Sequence, residues 1–218
     1  MIMKKILLLV AASIMSIGAI SAQNLSTEAI AGMNLSNWGG LGSKVGFHVG
    51  ARVELALPSL AEGVYTNAGL LFTTKGCKMD WGDLGKANAS AYYLELPIHI
   101  GYKYAVSDSF AIFGDAGPYV GFGLFGKLKS TYTDYDFYED VYYTETETSD
   151  VFEDVNRFDV GVGLRVGVEL NKKYSVSLSY DWGLLDSYKG DADDYEDYID
   201  LTPSMKHTNL MISLGYKF

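Results

Sequence analysis

Residues 157–170, RFDVGVGLRVGVEL, alternate between two kinds of side chain. The even positions are all apolar: Phe158, Val160, Val162, Leu164, Val166, Val168 and Leu170. The odd positions carry glycine or charge: Arg157, Asp159, Gly161, Gly163, Arg165, Gly167 and Glu169. Because successive side chains of a β-strand point to opposite faces, this pattern predicts a strand with one hydrocarbon face and one charged face. Such a strand suits either a soluble sheet that buries its apolar face or a transmembrane barrel that turns it toward lipid.

The same alternation recurs along the chain and predicts seven further strands. They lie near residues 24–34, 44–57, 63–75, 89–104, 109–125, 174–185 and 207–218. The connections near 58–62, 105–108 and 171–173 are short, whereas those near 35–43, 76–88, 126–156 and 186–206 are long. Short turns on one side and long loops on the other are typical of outer-membrane barrels. The sequence therefore predicts an all-β fold, an eight-stranded antiparallel up-and-down transmembrane β-barrel.

Aromatic residues on the apolar faces fall at both ends of the predicted strands. Near the short turns and the carboxyl terminus stand Tyr102, Tyr104, Phe110, Tyr174, Tyr216 and Phe218. Near the long loops stand Phe47, Phe72, Tyr92, Phe122, Phe158 and Trp182. A soluble barrel with an apolar interior is the alternative. Two aromatic girdles with aliphatic residues between them favour the membrane.

The first residues predict a secretory signal peptide. Lys4 and Lys5 precede an apolar run over residues 6–20, and the small residues Ala19, Ser21 and Ala22 stand at its end, where a signal peptidase would cut. A helical membrane anchor is the alternative, but such a helix needs about 20 apolar residues. We expect a cleaved signal peptide over residues 1–22 and one barrel domain over residues 23–218. The protein is expected in the cell outer membrane, with periplasmic termini and extracellular long loops.

Charged residues on the inward faces include both signs. An eight-stranded barrel is just wide enough for its side chains to fill, and an unpaired buried charge is costly. We therefore predict a lumen plugged by paired charges, with a narrow channel for small solutes as the alternative. The predicted lumen charge network consists of Arg52, Glu54, Lys75, Glu95, Lys103, Asp115, Arg157, Asp159, Arg165, Glu169, Asp181 and Lys217.

The net charge of −10 is unevenly distributed, because most acids lie in residues 127–156 and 186–206. This acidity argues against nucleic-acid binding. Outer-membrane lipid is one expected partner. An extracellular or envelope protein is the second, bound through loops 126–156 and 186–206. The alternative for the tyrosine-rich acidic loop 126–156 is a mobile segment without a binding role. Residues 191–200 lack the glycine and terminal glutamate of a calcium-binding EF-hand loop, so we interpret them as a solvated acidic loop. We expect a monomer.

Catalysis has little support in the sequence. His48 and His99 face the predicted lumen, where a carboxylate could polarise them, but no motif spacing accompanies them. We predict a non-enzymatic protein without cofactor or metal. Cys77, the only cysteine, is interpreted as a free thiol in a loop. Pro97 and Pro118 fall within predicted strands, where we interpret them as β-bulges because proline removes a ladder donor.

Three segments together resemble one family. They are Tyr92–Tyr104 (YYLELPIHIGYKY), Gly114–Leu124 (GDAGPYVGFGL) and Leu210–Phe218 (LMISLGYKF). They resemble the small outer-membrane β-barrel proteins labelled "porin family" or PorT-like, over most of the mature chain. The resemblance implies a small barrel of OmpA or OmpX type without a peptidoglycan-binding domain. PorT itself is linked to protein secretion, but the resemblance assigns no functional residues, and the label "porin" does not predict a pore. An envelope structural or surface-interaction role is the function that we predict.

Overall fold

A computed structural model describes residues 24–82, 85–136, 141–187 and 205–218. The predicted signal peptide and the acidic run 191–200 lie outside these residues. The described residues form nine strands: β1 (Leu25–Trp38), β2 (Gly42–Ala56), β3 (Val64–Asp80), β4 (Gly85–Ser107), β5 (Phe110–Asp136), β6 (Val141–Ser149), β7 (Phe158–Leu170), β8 (Tyr174–Gly183) and β9 (His207–Lys217). Among the described residues, no helix is long and apolar enough to cross a membrane.

Eight of these strands form a closed antiparallel ring. In the ring, each of β1 to β4 pairs with the next strand and β5 pairs with β7. Strands β7, β8 and β9 then pair in order, and β9 closes the ring by pairing with β1. Within the described part of the chain, strand β6 pairs only with β5 and stands outside the ring. The predicted eight-stranded up-and-down barrel is confirmed, and the ninth strand is an addition to it.

The two ends of the barrel differ. One end holds the start of β1, the end of β9 and the three short connections. We call it the turn end. There the link between β7 and β8 is only three residues long, and Asn171 and Lys172 have φ angles of 53° and 57°, as a type I′ turn requires of its two central residues. We call the opposite end, where β5 and β6 extend beyond the ring, the hairpin end.

The outer surface of the ring is apolar. In β7 the even-numbered side chains point outward and the odd-numbered ones inward, as the sequence predicted. Aliphatic side chains such as Ile98, Leu164 and Leu214 are about half exposed, which a protein in water would avoid. Aromatic rings meet at both ends: Phe72 contacts Tyr92 at the hairpin end, and Tyr174 contacts Tyr216 at the turn end. This is the surface of a barrel that spans a membrane.

The strands are longer at the hairpin end than the alternation of the sequence suggested. The predicted loop 76–88 is mostly strand, because β3 continues to Asp80 and β4 begins at Gly85. The predicted loop 126–156 contains the hairpin of β5 and β6 followed by a turn over residues 150–157. The lipid-facing pattern ends where the hydrocarbon ends, but backbone pairing continues beyond it, so the pattern marks the membrane and not the strand.

The bulges lie elsewhere than at the prolines. Pro97 pairs in register with Tyr119, and Pro118 pairs in register with Val162. The register shifts between β4 and β5 occur at Tyr92/Tyr93 and at Ala105/Ser107. The predicted proline bulges are therefore wrong. A further irregularity separates Ser43 from His48 on β2, where the ladder to β3 is interrupted.

Candidate functional site

The lumen contains three layers of charged side chains. The lower layer, nearest the turn end, is formed by Glu54, Lys103, Glu169 and Lys217. Lys103 Nζ lies 2.5 Å from Glu54 Oε1 and 2.9 Å from Glu169 Oε2. Lys217 Nζ lies 3.0 Å from Glu54 Oε2 and 2.6 Å from Glu169 Oε2. Two ammonium groups thus share two carboxylates, and the layer is neutral.

The middle layer joins two arginines to two acids. Arg52 Nη1 donates to Glu28 Oε2 at 3.1 Å, and the two residues are directly paired across β1 and β2. Arg165 Nη2 donates to Asp115 Oδ2 at 2.5 Å, and its Nη1 lies 3.9 Å from Glu28. Ser175 also donates to Glu28. The guanidinium fork of Arg165 can therefore link both carboxylates.

The Asp115 carboxylate contacts two further polar side chains besides its ion-pair partner. Besides Arg165, Tyr65 donates its hydroxyl to Asp115 Oδ2 at 2.6 Å, and His99 Nδ1 lies 2.8 Å from Asp115 Oδ1. All of these side chains are buried. His99, which the sequence placed in the lumen, is thus part of the middle layer, where its polar partner is a structural carboxylate.

The upper layer surrounds one ammonium group. Lys75 Nζ lies 2.6 Å from Glu95 Oε2 and 2.8 Å from Asp159 Oδ2, with side-chain exposures of 0%, 1% and 1% for the three residues. The Tyr119 ring lies beneath the ammonium, with its centroid 4.7 Å away. Asp181 is buried nearby, and its Oδ2 has no hydrogen-bond partner among the described residues. Gly121 is the ladder partner of both Glu95 and Asp159 and separates them on the wall.

The structure places almost all of the predicted charges in these layers. Arg157 lies apart. It precedes β7 at the hairpin end, where Nη1 donates to the carbonyl groups of Gly123 and Leu124 and Nη2 lies 3.5 Å from Asp150 Oδ2. Its side chain is 37% exposed, because it crosses the rim of the barrel and does not enter the lumen.

Sequence reasoning missed Glu28 and His207. Glu28 lies on β1, whose outward residues Ala29 and Ala31 make a weak apolar face, so that strand carried the poorest signal. Glu28 shares its alternate positions with Gly32, Asn34 and Ser36, and this polar series was the available sequence signal. His207 opens β9 and is fully buried, stacked on Trp38 at 4.9 Å between ring centroids.

A cap of apolar residues closes the lumen above the upper layer. Val151, Phe152 and Val155, from the turn after β6, form one buried cluster with side chains of the barrel wall: Trp38, Cys77, Ala89, Ala91 and Tyr93. The Phe152 ring meets the Tyr93 ring edge-on at 5.8 Å, and the Arg157 guanidinium lies 4.4 Å from the Phe152 centroid. Cys77, which the sequence placed in a loop, is therefore a buried thiol beneath this cap.

Ser187, His207 and Asp159 lie in the order of a catalytic triad. Ser187 Oγ is 3.0 Å from His207 Nε2, and His207 Nδ1 is 3.2 Å from Asp159 Oδ2. The second contact lacks hydrogen-bond geometry, which a triad requires. All three residues are only 1% exposed, and Trp38 and Tyr93 cover the imidazole. The arrangement satisfies a buried histidine and offers a substrate no approach.

Cavities lie at the turn end, beside the lower layer. One of about 560 Å³ is lined by Glu54, Tyr65 and Lys103. A second of about 260 Å³ is lined by Glu169 and Lys217. Among the described residues, no group of histidine, cysteine, aspartate and glutamate has a geometry that holds a metal ion.

Comparison with known proteins was made for the sequence and for the fold. A family model described as "Outer membrane protein beta-barrel domain" matches residues 15–189. No curated protein sequence matches the chain. Among solved structures, the attachment invasion locus protein Ail of Yersinia pestis is 13% identical with a TM-score of 0.38, covering 88% of this chain and 99% of Ail. Neisserial surface protein A (NspA) is 11% identical with a TM-score of 0.43, covering 89% and 97% of the two chains.

Proposed function

The chain belongs to the outer membrane protein β-barrel domain family, and from this premise we propose that it is a closed, non-enzymatic barrel with a structural or surface-interaction role in the cell envelope. The filled lumen is the observation that carries this proposal. Buried and partly buried carboxylates and cations that pair with each other at 2.5–3.1 Å leave few charges for a passing ion or solute to contact.

Conduction would require water along the whole length of the lumen. Three layers of paired side chains oppose a continuous water path, and the apolar cap of Val151, Phe152 and Val155 covers them. Opening the path means separating buried ion pairs, which costs several kcal/mol for each charge left unpaired (roughly 3–5). The alternative, a narrow channel for small solutes, needs that separation to occur repeatedly during transport.

Recordings from planar lipid bilayers test the closed barrel. We expect the purified full chain, once inserted, to give no stable unitary conductance steps, because the paired charges remain in place under an applied potential. Insertion is verified by flotation of the same protein with vesicles, and a channel of known conductance added at the end of each recording verifies the bilayer. Stable conductance steps would contradict the closed lumen and favour the narrow channel.

The hairpin of β5 and β6 supports the surface role. Among the described residues, strand β6 has a ladder with β5 on one side only, so its other edge offers backbone donors and acceptors that can bind an added strand. Its residues 144–149 are exposed and alternate threonine with glutamate up to Ser149. We propose that the turn end, with both termini, faces the periplasm and that the hairpin end faces the outside. Short turns at the periplasmic side and long connections outside are usual in this architecture.

Shortening the hairpin tests its role. Replacing residues 132–145 by Asn-Gly joins the directly paired Thr131 and Thr146 through a two-residue hairpin turn. The ring is expected to fold, because β5 keeps its pairing with β7 from Phe110 to Phe122. We expect this variant to lose envelope or surface proteins that the intact chain captures in a quantitative pull-down.

The matched control keeps the hairpin and exchanges its charge. Glu145→Gln with Glu147→Gln removes two exposed carboxylates but leaves the free β6 edge unchanged. If partner proteins bind the strand edge, the Glu145/Glu147 variant still captures them and the shortened variant does not. Recovery of the same proteins by the intact and shortened chains would contradict an interaction role for the hairpin.

A further inference from the structure

Five lysines lie on the outer face of the barrel at its hairpin end, and four of them, other than Lys86 beside Asp80, gather in one cluster. Lys78 on β3 and Lys129 on β5 are both direct ladder partners of Asn88 on β4. Lys127 is the partner of Ser90, two residues further along β4. Because ladder partners and residues two apart share one face of a sheet, these side chains lie side by side. The strands thus assemble a basic patch that no contiguous run of sequence contains.

Lys44 completes the basic patch from β2. Its ammonium group donates to Asn88 Oδ1, to Ser90 Oγ and, at 3.0 Å, to the Ala89 carbonyl oxygen. The alternation of β2, with Phe47 outward and His48 inward, would turn this side chain toward the lumen. The interrupted ladder between Ser43 and His48 lets it turn to the outer face instead. All of its contacts are neutral acceptors, so its positive charge is not compensated by them.

The basic patch adjoins the aromatic girdle. Tyr92 follows Ser90 by two residues on the same face of β4, and its ring lies 4.7 Å from Phe125 and 5.7 Å from Phe72. These rings mark the boundary between hydrocarbon and headgroups. The lysines therefore stand at the level of the headgroups, on the side of the hairpin end.

Carboxylates do not neutralise the basic patch. Within the described part of the chain, none of the four ammonium groups forms an ion pair with an aspartate or glutamate. The acids of the hairpin, Glu145 and Glu147, lie on the opposite face, because they pair with Tyr132 and Ser130. Asp80, the ladder partner of Lys86, is the acid nearest in register and lies one row further from the membrane. A local excess of positive charge persists in a chain of net charge −10.

A cleft in the barrel wall opens beside Lys44. Where the ladder between β2 and β3 is interrupted, side chains from β1 replace the missing partners: Asn34 donates to the Thr74 carbonyl oxygen at 2.5 Å, and Ser36 donates to that of Gly76 at 2.9 Å. The resulting cavity of about 140 Å³ is lined by Ser36, Lys44, Phe47, Thr74, Ser90 and Tyr92. It joins polar groups of the wall to the aromatic girdle.

We propose that the basic patch binds the phosphate group of an outer-leaflet lipid, whose acyl chains lie along the aromatic girdle. The inference rests on the proposed orientation, with the hairpin end outside. Ammonium groups next to a membrane attract anionic headgroups. Continuity with the lipid-facing surface distinguishes a lipid from a free anion, because only a lipid can contact the lysines and the rings of Phe72 and Tyr92 together.

Native mass spectrometry of the full chain in detergent tests the proposal, with lipid A that carries one phosphate as the probe. Lys78→Gln with Lys129→Gln removes the two charges that flank Asn88. We expect this variant to bind the phosphorylated lipid at least about tenfold more weakly than the unchanged protein. Lys172→Gln with Lys173→Gln, in the exposed turn between β7 and β8, removes the same charge at the turn end and is expected to leave binding unchanged.

Two further binding measurements distinguish a lipid phosphate from free phosphate. Dephosphorylated lipid A is expected to bind the unchanged protein as weakly as phosphorylated lipid A binds the Lys78/Lys129 variant. Inorganic phosphate at tenfold excess over the lipid is expected not to displace it. Equal lipid affinity in the two double variants, or displacement by inorganic phosphate, would overturn the lipid site. Bilayer conductance is independent of these outcomes, so a failure here is distinguishable from a failure of the closed barrel.

Discussion

Lys75→Met is expected to lower the free energy of unfolding of the barrel by about 3–5 kcal/mol. The substitution removes the one cation between Glu95 and Asp159, both within 2.8 Å of its ammonium group and both buried. Asp181, also buried, adds a further carboxylate close to them. Methionine has similar length, so the loss reflects unpaired charge more than an empty volume. Urea unfolding of the reconstituted barrel, followed by tryptophan fluorescence, measures the change.

Two variants give this measurement its controls. Lys173→Met makes the same change in an exposed turn and is expected to alter stability by less than about 0.5 kcal/mol. Adding Glu95→Gln and Asp159→Asn to Lys75→Met removes the uncompensated charges and is expected to recover most of the loss. A Lys75→Met barrel that unfolds at the same urea concentration as the unchanged protein would show that the upper layer does not stabilise the lumen.

Phe152→Ala is expected to raise the rate of Cys77 modification by roughly 100-fold. Cys77 is the only cysteine of the chain and is fully buried in the cluster that Phe152 caps. Truncating a buried phenylalanine costs about 3–5 kcal/mol. The substitution lowers the local stability of the turn over residues 150–157, so the cap opens more often while the ring stays folded. The reaction rate of the folded protein with a fluorescent maleimide reports that opening.

Phe125→Ala is the matched control for the cap. Phe125 lies in the outer aromatic girdle and is 54% exposed, so its truncation leaves the cluster around Cys77 intact. We expect its Cys77 modification rate to stay within about twofold of the unchanged protein. If Phe152→Ala and Phe125→Ala accelerated modification equally, or if neither did, the segment 150–157 would not be the barrier above Cys77.

Most of the barrel could be predicted because a membrane imposes a simple rule on every strand. Residues toward lipid must be apolar, so the alternation in 157–170 gives both the strand and the direction of each side chain. The same rule assigned Glu95, Asp115 and Arg165 to the interior. It failed for Glu28 because alanines face outward beside it and give a weak apolar signal. The rule would also misplace Lys44, because an interrupted ladder redirects its side chain without any change in the alternation.

The connections were predicted less well, for a related reason. Beyond the aromatic girdles both faces of a strand meet water or polar groups, and the alternation that reveals a strand disappears. The extensions of β3 and β4 and the hairpin of β5 and β6 were therefore interpreted as loops. Backbone pairing stabilises them, and pairing between distant segments leaves little trace in the local sequence.

By itself, the sequence determined the class of the molecule: a membrane-spanning antiparallel barrel of eight strands with a charged interior, because burial in lipid constrains each strand locally. Only the tertiary structure decided which charges meet, since Lys75 reaches Glu95 and Asp159 from another part of the ring. It also decided that Val151 and Phe152 fold back to cap the lumen and that Lys78, Lys127 and Lys129 share one patch. These outcomes depend on ladder register and ring closure, which bring together residues far apart in the chain. In residues 157–170, local alternation set the two faces, whereas the closed ring brought Asp159 to Lys75, Arg165 to Asp115 and Glu169 to Lys103.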